Sequence, residues 1–162
     1  MKKFFKVLIP TIIILIFVVI SLASAFKESL TYDELVNITE GKNAWIHQTY
    51  NIEPYHPPLA KVLQTAPLVA LENGFYVKLS PLAEKNIARS VVILMGVALL
   101  LSVFFAAKQY FGYWSAALSL FLLAFEPNTI AISHVINTDA MVNLMIFICY
   151  IILISLLIKP TS

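Results

Sequence analysis

Apolar and polar positions alternate along the chain in long blocks, and those blocks set the predicted elements. Four apolar runs stand out: Val7 to Phe26, Val91 to Ala107, a third from near Phe111 to Glu126 and Pro127, and a fourth from Ala140 to Ile158. At about 1.5 Å of rise per helical residue, the first covers the roughly 30 Å of a bilayer's hydrocarbon core. The third is short for a perpendicular crossing, and Pro127 predicts that its far end continues as a kinked or irregular segment. A polar interlude, residues 27–88, separates the first two runs and holds most of the charges and five of the eight prolines. The pattern predicts a first transmembrane helix in residues 1–26, an exported loop with juxtamembrane helices in residues 27–88, and three further transmembrane helices in residues 89–162.

Composition agrees with this reading: 60% of the residues are hydrophobic and 12% charged, whereas a soluble domain carries about 25% charged residues. The expected fold class is an all-α, multi-pass membrane protein of the plasma or inner membrane. The 11 basic and 9 acidic residues leave a net charge of +2 without a basic stripe, which excludes nucleic acid as the partner. Cys149 stands alone in an apolar run, so there is no intrachain disulfide framework. Lys2, Lys3 and Lys6 before the first run, Lys108 after the second and Lys159 after the fourth predict a cytoplasmic amino terminus, with the 27–88 and 126–139 loops facing outward. The other six basic residues lie in or beside the large loop, and long loops carry little weight in the positive-inside rule. Ala23, Ser24 and Ala25 also fit the small-residue site that follows a signal peptide, so a cleaved leader is the alternative to an uncleaved anchor.

Candidate chemistry lies in the two outward loops. Thr31, Tyr32, Asp33 and Glu34 read as a capping box, with Leu30 and Leu35 placed for a hydrophobic staple, and the helix they start is expected to run to Glu40 and stop at Gly41. With Glu34 partly used by the cap, Asp33 is the candidate base at the bilayer surface; the plainer alternative is an acid favoured in a first turn by the helix dipole. Next come His56, Pro57, Pro58 and Lys61, opening an amphipathic interfacial helix with Leu59, Val62, Leu63, Ala66 and Ala70 at helical spacing, kinked at Pro67 and stopped near Asn73 and Gly74. His56 and Lys61 flank its first turn, where a phosphate could sit; the alternative is a capping histidine and a snorkelling lysine. In the second loop Asn137 or Thr138 can cap the last helix, leaving Asp139 at the outer membrane boundary, where an unpartnered acid is costly. His134 lies nearby, and Asn37, Ile38 and Thr39 form a glycosylation sequon inside a predicted helix. The acids are spread out and no histidine pair has ligand spacing, so no metal site is read.

Taken in order, a membrane helix, TYDEL, YHPPLAK, and EPNTIAISHVINTDA leading into another helix, the chain resembles the amino-terminal part of polyprenyl-phosphate-sugar glycosyltransferases of the GT-C fold. It looks closest to the dolichyl-phosphate-mannose protein mannosyltransferase family. The resemblance covers nearly the whole chain. It implies a sugar donor on a polyprenyl phosphate, an exported protein, lipid or glycan as acceptor, no cofactor, Asp33 as the catalytic base with Glu34 beside it, His56 and Lys61 near the carrier phosphate, and Asp139 facing the site. His134 joins the substrate-binding candidates from its place in the loop alone, the alternative being a hydrogen-bonded bystander. Members of that family carry many more membrane helices, so the chain is expected to be a fragment, a truncated product or a reduced homologue. The competing expectation is a noncatalytic membrane protein that binds carrier lipid or a partner.

Overall fold

The computed structural model describes residues 2–48 and 58–158. Over these residues the chain forms helices and connecting turns, with no strand. Helix α1 spans Lys2–Lys27, α2 Tyr32–His47, α3 Pro58–Val69, α4 Pro81–Phe111, α5 Tyr113–Ala124, α6 Pro127–Ser133 and α7 Asp139–Ile158. Three stretches are long and apolar enough to cross a membrane: Phe5–Lys27, Pro81–Phe111 and Asp139–Ile158. The third apolar run is not one straight rod. Helices α5 and α6 meet at 66° across Phe125 and Glu126, a bent pair that is either one broken span or a re-entrant loop. Pro127 sits in the first turn of α6, and the Glu126 carboxylate accepts from Thr129 N at 2.6 Å, so the break is also a helix start.

Helix α4 is the axis. It contributes to both hydrophobic clusters, one with Ile13, Phe17, Leu100, Phe104, Ala116 and Leu120 that joins it to α1 and α5, the other with Ile38, Leu68, Val92, Met95, Ile136 and Met141 that joins it to α2, α3 and α7. Close approach around α4 depends on Gly96: a Cβ there would lie 2.6 Å from Ser133 Oγ and 3.2 Å from the Phe17 ring, so α1, α4 and α6 meet over a bare backbone. Contacts between chain segments also fix which ends lie together. Tyr113 and Phe5 meet at one end, while Arg89 reaches Ala25, Glu28 and Glu34 at the other. Helices α2 and α3 gather at this second, polar end, while α6 packs beside Phe17 and Gly96 in the middle of α1 and α4.

Several sequence expectations are corrected here. Helix α2 does not stop at Gly41 but runs to His47 and closes on Gln48 in the left-handed region (φ 54°). Gly41 instead marks the crossing with α3, where a Cβ would fall 2.5 Å from Thr65 Oγ1 and closer still to the Lys61 carbonyl oxygen. The expected staple is absent: Leu30 packs on the core and Leu35 is exposed. Helix α3 presents Leu59 and Leu63 outward and buries Lys61, Gln64 and Thr65. On the glycine-notched face of α2 Lys61 pairs with Glu40 and Thr65 bonds back to its own helix over Gly41, while Gln64 reaches Asn137 O; leucines at a bilayer surface have lipid to cover them. Pro67 stays within α3, and a wider turn over Ala70–Gly74 ends it. Finally, α4 starts at Pro81, earlier than its apolar run, because Ser80 caps it (Ala83 N to Ser80 Oγ, 3.2 Å) and its first turns are polar.

Candidate functional site

The capping box at Thr31 is formed. Glu34 N donates to Thr31 Oγ1 at 3.4 Å, and Glu34 Oε2 accepts from Thr31 N at 3.0 Å. This fixes the first turn of α2 and leaves the Asp33 side chain exposed beside it. Glu34 itself is fully buried and does more than cap. Its two oxygens take a fork from Arg89, Nε to Oε1 and Nη2 to Oε2, both at 2.7 Å, and Oε1 also accepts from Ile136 N at 3.0 Å. Burial alone would raise the Glu34 carboxyl; the hydrogen bonds from Arg89, Ile136 and Thr31, with the charge of Arg89, outweigh it and hold the group below its ordinary value of 4.5. Arg89 is also fully buried, and its remaining N–H groups are directed at the carbonyls of Ala25 (2.6 Å), Glu28 (3.0 Å) and Ser29 (2.9 Å). All five guanidinium donors thus have acceptors. One ion pair binds the exit of α1, the start of α2, the outer part of α4 and the loop before α7.

That loop, residues 134–138, is held on every side. Ile136 O accepts from Asn37 Nδ2 at 2.9 Å, and Asn137 O accepts from Gln64 Nε2 at 2.5 Å. The Asn137 side chain donates to Ile132 O at 2.9 Å and its oxygen caps α7 through Ala140 N at 3.2 Å, the cap expected from the sequence. His134 is buried, with Nδ1 against Ile130 O (2.7 Å) and Nε2 against Glu28 Oε2 (3.1 Å).

Between this loop and the start of α2 lies an open cavity of about 440 Å³ lined by Thr31, Asp33, Asn37, Val135, Ile136, Asn137, Thr138 and Asp139. Two of the residues singled out in the sequence, Asp33 and Asp139, therefore meet in one cavity although they come from distant segments. Lys61 does not line it. Its ammonium is buried against Glu40, between α3 and α2. Neither His134 nor Glu34 lines it; both brace its wall. His56 lies outside the described residues. The sequon is also reassigned: Asn37 is buried in α2 with its amide engaged, so it offers no nitrogen to a glycan.

The lining sets the chemistry. Among the described residues it carries two carboxylates, the side chains of Thr31, Asn37, Asn137 and Thr138, and no cation. Such a wall accepts hydrogen bonds from hydroxyl groups and can take a proton from one of them. Among the described residues no three His, Cys, Asp or Glu side chains cluster in a way that could hold a metal ion. Arg89 was missed by sequence reasoning because it closes the polar first turns of α4; its place two residues before the apolar run, at the membrane boundary, is the signal that could have found it. No protein-family model, curated protein or solved structure matches the chain.

Proposed function

We propose that this chain is a membrane glycosyltransferase of the GT-C type, or part of one, moving a sugar from a polyprenyl-phosphate carrier to an acceptor on the exported side. The observation that carries the proposal is the cavity shared by Asp33 and Asp139 at the polar end of a bundle of membrane-length apolar helices. A carrier whose prenyl tail stays in lipid presents its sugar at that boundary, and a wall of carboxylates, hydroxyls and amides suits a polyhydroxyl substrate.

In this reading the acceptor hydroxyl attacks the anomeric carbon, the bond from that carbon to the phosphate oxygen breaks, and the proton of the hydroxyl passes to Asp33. Polyprenyl phosphate leaves with the bonding electrons. Asp139 accepts hydrogen bonds from sugar or acceptor hydroxyls and orients them. Glu34 acts as a positioning residue: its hydrogen bonds to Thr31 and Ile136 hold the two walls of the cavity together. The phosphate-facing cation is assigned to His56 rather than to Lys61, whose ammonium is engaged with Glu40.

The test is transfer of radiolabelled sugar from a polyprenyl-phosphate donor in membranes of source cells whose own gene carries Asp33→Asn. The amide keeps the size of the side chain but cannot take the proton, so transfer should fall by about 10²- to 10⁴-fold, the usual worth of a general base. Wild-type rates in the Asp33→Asn membranes would overturn the assignment.

A further inference from the structure

The end of the bundle opposite the site has its own chemistry. The described acidic residues lie elsewhere: none falls in residues 2–27, 85–125 or 140–158, the described segments that reach this end, whereas Lys6 and Lys108 do. These two lysines rest against one pair of rings. Lys6 Nζ lies 5.6 Å from the Tyr113 ring centre and Lys108 Nζ lies 6.0 Å from that of Phe104, while the two rings meet edge to face at 6.3 Å. Gly112, at φ +86°, makes the sharp turn that sets Tyr113 directly after α4 and against the start of α1, where its hydroxyl donates to Phe5 O at 3.4 Å. Beside this cluster opens a cleft of about 560 Å³ lined by Phe5, Lys6, Ile9, Tyr113 and Trp114, with Trp114 largely exposed.

We propose that this cleft seats the headgroup of an anionic phospholipid from the leaflet on the lysine side. The argument is charge and amphipathy together. Lys6 on the cleft wall, with Lys108 beside it over the Phe104 ring that abuts Tyr113, offers an ammonium group to a phosphodiester with no carboxylate nearby among the described residues to compete; Trp114 and Tyr113 are suited to the headgroup level, and Phe5 and Ile9 give the cleft an apolar floor for the acyl chains. Lysine stems lying over aromatic faces keep both charges at the rim instead of dispersed in water. The site is separate from the sugar-transfer proposal and does not depend on it.

Tryptophan provides the measurement, because the chain has only Trp45 and Trp114 and they lie at opposite ends. With Trp45→Phe in place, the protein is reconstituted in phosphatidylcholine vesicles containing a minor fraction of brominated phosphatidylglycerol or, in parallel, brominated phosphatidylcholine. Trp114 fluorescence should be quenched more strongly by the anionic lipid at equal mole fraction. Lys6→Gln or Lys108→Gln should weaken that preference about fivefold, the effect of one lysine charge near an anionic surface. Lys78→Gln, at the other end, should change it little. Equal quenching by the two lipids overturns the site, and so does an effect of Lys78→Gln as large as that of Lys6→Gln, since either means an effect of overall charge and not of a local site. Native mass spectrometry of the unsubstituted protein and of Lys6→Gln with unbrominated phosphatidylglycerol gives the same comparison without the tryptophan change; retained lipid that is insensitive to Lys6 would also overturn it.

Discussion

At the scale of single residues, the Glu34–Arg89 pair decides how the site is held. Taking two charges out of water is costly, and here the cost is offset because every guanidinium donor and both carboxylate oxygens are hydrogen bonded. Removing one partner leaves the other buried and unpaired, so Arg89→Met should lower stability at neutral pH by about 3–5 kcal/mol in detergent unfolding experiments. The pH dependence has a definite sign. Because the folded-state Glu34 carboxyl is depressed below 4.5, its contribution is fully present above that value and is lost as pH falls through the lower, folded value. The unsubstituted protein should therefore melt at progressively lower temperature on acidification below about pH 4.5, and the slope should be shallower in Arg89→Met; parallel slopes would assign the acid sensitivity to other carboxylates. Asp33 and Asp139 were legible in the sequence because each sits at a helix start, where capping rules locate a side chain from its neighbours alone. The partners of Arg89 were not legible, since three are main-chain carbonyls at the end of α1 and in the turn after it, and the fourth is a carboxylate whose local role in the capping box already accounted for it.

Among the helices, α2 and α3 show how the same residue can serve opposite purposes. Read locally, Gly41 is a helix stop; in the fold it lies inside α2, where glycine costs about 0.5–1 kcal/mol relative to alanine. That loss is offset by the approach of α3, which brings the Lys61 carbonyl and Thr65 onto the bare Cα and lets Trp45 Nε1 reach Val62 O at 2.8 Å. The two views predict opposite signs for Gly41→Ala. If propensity ruled, the change would stabilise; with a main-chain oxygen in the way it should destabilise by about 1–3 kcal/mol through overpacking. Thermal unfolding followed by circular dichroism distinguishes them, and a raised melting temperature would refute the tight crossing. The same crossing explains why the burial of α3 could not be read from its own periodicity. Leucines at helical spacing mark an apolar face, but they do not say whether the face meets protein or lipid, and here the neighbouring helix is lined for Lys61, Gln64 and Thr65.

For the whole molecule, the distribution of charge separates two ends that must lie on opposite sides of any membrane it crosses. Counting basic residues alone was indecisive, because six of them fall at the polar end. The structure explains how that end holds them: Lys61 pairs with Glu40, Arg89 with Glu34, and Lys42 with Glu72 at 2.7 Å and Glu84 at 3.2 Å, so much of their positive charge is matched there. Lys6 and Lys108 have aromatic rings beside them instead of acids. The orientation that leaves unmatched lysines on the cytoplasmic side places the Asp33–Asp139 cavity outside. In a Cys149→Ser background, a single cysteine at Lys78, exposed just before α4 at the polar end, should react with a membrane-impermeant maleimide added to intact cells. A cysteine at Lys108, equally exposed but at the other end, should react only after the membrane is permeabilised. Labelling of position 108 from outside, with 78 protected, would invert the protein and put the cavity on the cytoplasmic face, where an exported acceptor could not reach it.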